Sequence, residues 1–333
     1  MRTIFRLLLA FASATLLLVA AAAAYVTLAP ISLPREQVEF TLAPGSSLRA
    51  AAREIAASEV GIEPWVLIAL ARLLGVESSI KAGSYQISRG TTPLELLRKL
   101  TRGDFTQAEL TFIEGWTFRQ MRERIAAHPD LRHETSALSE DEIMHLLGAP
   151  GLAAEGAFFP DTYLFAKRST DLDLLARAYR AMQQHLHRHW QARAEGLPLR
   201  DAYQALILAS IVEKETGRDQ DRSLVAAVFI NRLRLGMPLQ TDPTVIYGLG
   251  NAFDGDLRKR DLLTDTPYNS YTRRGLPPTP IAMPGLASLQ AALHPAASDA
   301  LYFVARGDGS SQFSRTLAEH NQAVLRHQKG GRP

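Results

Sequence analysis

Hydrophobic positions fall into three patterns along the chain, and each predicts a different kind of structure. Leu7 to Leu28 is an almost unbroken apolar run of 22 residues, long enough to span a bilayer as a helix. Val38 to Leu42 alternates apolar and polar positions as a half-buried strand does. Pro44-Gly45-Ser46-Ser47 then makes a turn and supplies the cap for a helix over Leu48 to Ala57. Pro64 opens a second helix through Leu74, and Gly83 to Ile87 reads as a returning strand. Thr92 and Glu95 form a capping box around Pro93, so a third helix runs to about Gly103. Further on, Gln107 to Ile113 reads as a strand, Thr117 caps a helix through Ala127, and Ser139 with Glu142 caps another over Ile143 to Leu147. An apolar, turn-rich stretch from Glu155 to Tyr163 ends in a strand. Helices follow at Leu172 to about Ala194, Ala202 to Thr216 and Leu224 to Leu235. Pro/Gly-rich loops dominate Met237 to Gly285, and Arg306-Gly307-Asp308-Gly309 marks a hairpin between two short strands. No internal repeat is evident. The fold class expected is α+β.

Charge refines the first pattern. Arg2 and Arg6 precede the apolar run, and the next charged residue is Arg35. The positive-inside bias places residues 1–6 in the cytoplasm, a single-pass helix at 7–28 in the inner (cytoplasmic) membrane, and the bulk of the chain in the periplasm. A cleaved leader is the rival reading, because Val19 to Ala24 offers small-residue cleavage sites. The net charge of the 333 residues is only +3, with no basic run carrying interleaved aromatics, so a nucleic-acid partner is not expected. The chain has no cysteine, which excludes disulfides, thiol nucleophiles and thiolate metal sites. The strand–helix–helix–strand order of Val38 to Ile87 resembles a LysM glycan-binding module, and a plain α+β spacer would read the same way. The expected division is therefore a LysM-like βααβ module at 29–105 and a mixed α+β catalytic domain at 106–333.

Chemistry concentrates at one glutamate. From Ala205 to Val212 apolar residues cover nearly the whole circumference of a helix, which predicts burial on every side. Glu213 continues the face of Leu206 and Ala209 and so leaves an apolar wall, an environment that favours the protonated carboxyl a glycosidic acid needs. Glu215 is rotated by about 200° on the same helix and cannot face the same bond. The pair is therefore not a two-carboxylate glycosidase constellation. Spacing alone leaves open that Glu213 is an ordinary helix-end glutamate.

Several ordered segments carry a resemblance. Ser210-Ile-Val-Glu-Lys-Glu-Thr216, Val225-Ala-Ala-Val-Phe-Ile-Asn231 and Leu239-Gln-Thr-Asp-Pro-Thr-Val-Ile-Tyr-Gly248 succeed one another. Tyr268-Asn-Ser-Tyr271 and Gly275-Leu-Pro-Pro278 follow, with Phe159-Pro-Asp-Thr-Tyr163 upstream and Leu301-Tyr-Phe-Val304 before Glu319-His-Asn321 downstream. Together they resemble the endolytic murein (peptidoglycan) lytic transglycosylases of the MltG/YceG-like family over about Phe112 to Val324. Thr279 and Met283 stand where the resemblance implies a glycine and a small polar residue. It implies that Glu213 is the general acid and then base for cleavage of MurNAc–GlcNAc bonds within nascent strands, leaving 1,6-anhydro-MurNAc ends. It implies no metal or cofactor, and partners in peptidoglycan strands and penicillin-binding-protein synthases.

Substrate-binding candidates are Gln240, Thr241 and Asp242 in a polar loop, Tyr247, Asn269 and Tyr271 as aromatic and amide contacts, and Glu155 as a possible second carboxylate. Each has a structural alternative: Asp242 caps the helix opened by Pro243, Asn269 and the tyrosines brace the loop, and Gly156 makes Glu155 part of a turn. His185, His187 and His189 read as a solvated helix face, since only the first and third share a side. A lysozyme-like hydrolase and a non-catalytic glycan-binding scaffold are the competing functions.

Overall fold

A computed structural model describes residues 2–43 and 45–329. Met1, Pro44 of the expected turn and residues 330–333 of the expected catalytic domain lie outside the described residues. The first element is an apolar helix, α1 (Arg2–Leu28), whose stretch Leu9–Leu28 has a mean hydropathy of 2.1 and no buried side chain among the described residues. By length and composition it is able to cross a membrane.

The chain divides into two units, residues 1–109 with 164–169, and residues 110–163 with 170–333. In the first, β1 (Gln37–Leu42) leads into α2 (Leu48–Ala57) and α3 (Pro64–Leu73) before β2 (Gly83–Ser88) returns antiparallel to β1. Their register runs from Gln37 opposite Ser88 to Leu42 opposite Gly83. One face of β1 places Val38, Phe40 and Leu42 in a core with Ile55, Leu67, Tyr85 and Ile87. The amphipathic α4 (Pro93–Arg102) adds Leu96, Leu97 and Leu100, and it begins with the capping box of Thr92 and Glu95. Tyr85 is fully buried, and its hydroxyl is satisfied by donating to the Lys81 carbonyl at 2.6 Å. Gly83 has φ +148°, and a Cβ there would meet the Phe105 ring at 2.4 Å, so this strand start requires glycine.

Strands β3 (Gln107–Thr111) and β4 (Thr162–Ala166) form a two-stranded sheet between which α5 (Phe118–Ala126) and α6 (Glu140–Leu146) are inserted in sequence. The second unit is built around α8 (Ala202–Glu215), preceded by α7 (Asp171–Gln191) and followed by α9 (Asp219–Arg234). All eight residues from Ala205 to Val212 are buried, as the largely apolar sequence predicts. The short helix α10 (Asp242–Leu249) is the one opened at Pro243, with Thr241 rather than Asp242 at the cap position, and α11 (Lys259–Leu263) interrupts a stretch that sequence patterning reads as loop. A further helix, α12 (Leu286–Leu293), packs against α8 and α9. The hairpin β5 (Tyr302–Ala305) and β6 (Ser311–Ser314) turns through Gly307 and Gly309, both at positive φ, and α13 (Leu317–Val324) closes the unit.

Candidate active site

The last turn of α8 delivers three consecutive charged side chains to three different surroundings. Glu213 is half-buried, and its Oε2 accepts the Gly285 N–H at 2.9 Å. Gly285 is the residue that caps the start of α12, so the carboxylate meets the positive end of that helix. Lys214 donates from Nζ to the Gly115 carbonyl at 3.2 Å. Glu215 accepts the Thr241 hydroxyl on the other side of the helix end.

Three contacts fix this arrangement from behind. Ser210, one turn before Glu213 and fully buried, accepts the Ile281 N–H at 3.0 Å and donates to the Ile207 carbonyl at 2.7 Å. The loop so held runs on to Gly285, and it exchanges backbone bonds with the strand-end loop at Gly115 and Trp116. Gly115 N–H donates to the Met283 carbonyl at 2.8 Å, and Met283 N–H donates to the Trp116 carbonyl at 2.7 Å. Met283 takes part through its backbone, and its side chain is buried at a position where a small polar one was expected. Thr279 has its own partner, the Tyr268 hydroxyl at 2.8 Å.

A second carboxylate enters the same corner. A Cβ on Gly285 would lie 1.9 Å from Glu114 Oε1, so Glu114 occupies the space that only a glycine leaves open beside the Glu213 hydrogen bond. Burial raises the Glu114 pKa first, and the neighbouring Glu213 raises it further. Sequence reasoning missed Glu114. Its one local signal is position in a Gly-containing loop at a strand end, and 99 residues separate it from Glu213.

The sequence candidates divide between two cavities and the interior. The first cavity, of about 730 Å³, is lined by Lys214, Glu155, Ile246, Tyr247, Phe253 and Tyr268 among others. Glu155 is buried, and both its oxygens accept the Phe118 N–H, at 3.1 and 3.2 Å. It thereby satisfies an otherwise unpaired donor at the start of α5. Burial pushes its pKa up to about 7, against the lowering effects of that N–H and of the Tyr247 hydroxyl. Tyr247 is raised in turn, by burial and then by Glu155, and its ring meets Tyr268 edge-on at 5.0 Å. The second cavity, of about 590 Å³, takes Gln240, Asp242 and Tyr271 together with Glu215 and Arg232.

Thr241 and Asn269 are interior supports. Thr241 is 2% exposed, and its N–H is held by the Ser270 hydroxyl at 3.0 Å. Asn269 is fully buried, and its amide donates to the carbonyls of Asp261, Leu262 and Thr264, while its oxygen accepts the Tyr271 N–H. His185 stacks on Phe159 with ring centres 4.2 Å apart. Among the described residues, no three His, Cys, Asp or Glu side chains are grouped to hold a metal.

The chain was compared with known proteins. Residues 40–326 match the model of the YceG-like family. An endolytic murein transglycosylase of Bacillus subtilis is 34% identical over 270 residues, covering 74% of this chain and 72% of that relative. An endolytic murein transglycosylase of Streptococcus pneumoniae is 28% identical over 284 residues, and there the match spans 75% of this chain but about half, 51%, of the relative. The crystal structure of a YceG-like protein from Listeria monocytogenes superposes with a TM-score of 0.55 at 29% identity, covering 86% of this chain and 99% of that one. With the family's model spanning most of its length, and a relative more than 30% identical along three quarters of it, this chain belongs to the YceG-like family.

Proposed function

We propose that this chain is an endolytic peptidoglycan lytic transglycosylase in which Glu213 serves as general acid and then as base. The observation that carries the reading is the placement of Glu213. A buried helix presents it, one carboxyl oxygen is tied to Gly285, and the next residue, Lys214, lines an aromatic-walled cavity. Relatives named endolytic murein transglycosylase support the substrate class.

In this mechanism Glu213 gives its proton to the oxygen linking MurNAc C1 to the following GlcNAc. The C1–O bond breaks and the GlcNAc-headed chain leaves with that proton. Positive charge develops at C1 in an oxocarbenium-like transition state. The MurNAc C6 hydroxyl then attacks C1, and its proton passes to the Glu213 carboxylate, which restores the acid and closes the 1,6-anhydro ring. No water and no second enzyme carboxylate is consumed. The Gly285 N–H supports the carboxylate present between the two proton transfers. Tyr247, Tyr268 and Phe253 offer faces on which sugar rings stack.

The first unit supplies a LysM-like glycan-binding module at 29–105, with the catalytic domain at 106–333. Residues 7–28 tether both at the outer face of the cytoplasmic membrane, where nascent strands emerge. Cuts made there set strand length beside penicillin-binding-protein synthases. Glu114 favours one second reading, a hydrolase, because a carboxylate near Glu213 is what activation of water would need.

Mass spectrometry of products separates these readings. Full-length chain in detergent, incubated with purified peptidoglycan, is expected to release anhydro-muropeptides, and Glu213→Gln none. Free reducing ends from the wild type would replace the lytic reading with the hydrolytic one. Equal products from Glu213→Gln would remove Glu213 from its role. Binding to peptidoglycan without products from either would leave a glycan-binding scaffold.

A further inference from the structure

The second cavity sets an acid, Glu215 on α8, and a base, Arg232 on α9, beside the rings of Tyr271, Tyr302 and Phe303. Arg232 is 7% exposed. Its Nε donates to the Leu301 carbonyl and its Nη1 to the Leu239 carbonyl, both at 2.7 Å, and its plane lies over the Tyr302 ring. Among the described residues its Nη2 makes no hydrogen bond, and neither Arg232 nor Glu215 is in a direct ion pair. Glu215 takes one bond from Thr241, and Asp242 takes one from the Tyr271 hydroxyl at 2.5 Å, which leaves each carboxylate a second oxygen.

Arg232 is buried and Glu215 half-buried; each charge favours the other across the cavity, yet they are not closed into a hydrogen-bonded ion pair, so both keep capacity for a further partner. Gln240, on the rim, holds a positive φ of 51°, and its backbone N–H is tied to the Ser270 carbonyl at 3.0 Å. Left-handed backbone at a non-glycine residue is a feature of ligand clamps. The remaining titratable groups facing the cavity are Tyr302 and His320. Their rings stack with centres 5.2 Å apart, and burial, then Arg232, hold the His320 pKa below the ordinary imidazole value.

We propose that this cavity is a subsite for a zwitterionic peptide, with the carboxylates of Glu215 and Asp242 taking an ammonium and Arg232 taking a carboxylate. This rests on the reading of the substrate as murein, whose glycan carries short stem peptides bearing both groups. A peptide-free glycan carries only the lactyl carboxylates of MurNAc, which could meet Arg232 but bring no cation for Glu215. A purely cationic or purely anionic ligand satisfies only one of them. The cavity thus reads the peptide while the first cavity reads the sugars.

The test is calorimetric titration of the full-length chain in detergent with a murein tripeptide ending in a diamino acid. Its free form is compared with a form acetylated on the amine and a form amidated on the carboxylate. The free form is expected to bind at least about tenfold more tightly than either blocked form, as loss of one partner of a desolvated charge pair requires. Glu215→Gln, which keeps the Thr241 contact, should erase the discrimination against the acetylated peptide and retain that against the amide. Asp242→Asn, on the rim, should weaken the same preference without disturbing the helix. Equal binding of all three peptides, or no binding of any, overturns the subsite. Release of anhydro-muropeptides from intact peptidoglycan, followed in parallel, reports on the lytic reading alone. Its absence with peptide binding intact would reject the enzyme assignment and leave the subsite standing.

Discussion

Glu213 and Glu155 are both glutamates beside apolar surroundings, yet their local bonds assign them different work. Glu213 holds one N–H, from Gly285, and is half-open. Glu155 is closed in at the start of α5, with both oxygens on the Phe118 N–H. Removing the acid should cost about 10²- to 10⁴-fold in turnover, so Glu213→Gln is expected to lose lytic activity by that factor with an unchanged circular-dichroism melt. Glu155 has a different signature, in stability. Its carboxyl sits near pKa 7 in the folded chain against an ordinary 4.5, because burial penalises the charge. Between those values the folded state keeps a proton that the unfolded chain has released. Stability therefore falls as pH rises through that window, and the full penalty, about 3 kcal/mol, is present above it. Glu155→Gln stays neutral and retains an oxygen for Phe118, so its melting temperature relative to wild type should climb from pH 4.5 to pH 7 and then level off. A difference in melting that is flat across that range would mean the carboxyl does not carry this penalty.

At the scale of elements, the site depends on how α8 is fastened to the loop that ends at Gly285. Ser210 makes that link through the Ile281 N–H, in a place with no exposure to water. Ser210→Ala leaves the Ile281 donor unsatisfied, which costs about 1–3 kcal/mol, and frees the segment that positions Gly285. The expected outcome is a lower melting temperature together with a kcat loss larger than any change in KM. A kcat equal to wild type in a destabilised variant would show that the loop holds its place without the serine. Sequence patterning made much of this legible. The largely apolar run before Glu213 announces a buried helix, Thr92 and Ser139 announce capping boxes that the structure contains, and Thr117 announces a cap that proves to be a third box. It did not announce α11 and α12, which lie in or just after the Pro/Gly-rich region where turn residues mask short helical runs. Nor did it bring Glu114 to Glu213, because that meeting is made by two loops exchanging backbone bonds at Gly115, Trp116 and Met283. Backbone pairing of that kind leaves no side-chain pattern to read. For Asn269 the sequence offered two roles and for Thr241 a glycan contact, and the burial and bonds of both are those of braces.

For the whole molecule, the unanswered physical demand is α1. Its window Leu9–Leu28 is apolar with no buried side chain among the described residues, and side chains such as Phe11 and Leu17 are more than two-thirds exposed. Uncovered apolar area of this extent is unfavourable in water, at roughly 25 cal/mol per Å². A bilayer would remove that cost, which the length and composition of the helix allow. After the helix, Ile31 donates to the Thr91 carbonyl at 2.8 Å and Gly61 donates to the Ser32 carbonyl at 3.0 Å, so the chain is pinned to the first unit within a few residues. A tether fastened so closely would hold the first unit near the membrane surface, whereas a leader removed at the small residues of Val19 to Ala24 would release everything downstream. The two differ in mass and in location. The expected finding is that the full-length chain sediments with membranes, resists an alkaline wash, and retains residues 2–28 by intact-mass measurement. Leu17→Arg places a charge mid-helix at a cost of about 2.5–3.5 kcal/mol and should move part of the population into the soluble fraction. A mature chain beginning near residue 25 would make the apolar run a targeting signal. The position at which strands are cut would then have to be set by the glycan contacts of the two units alone.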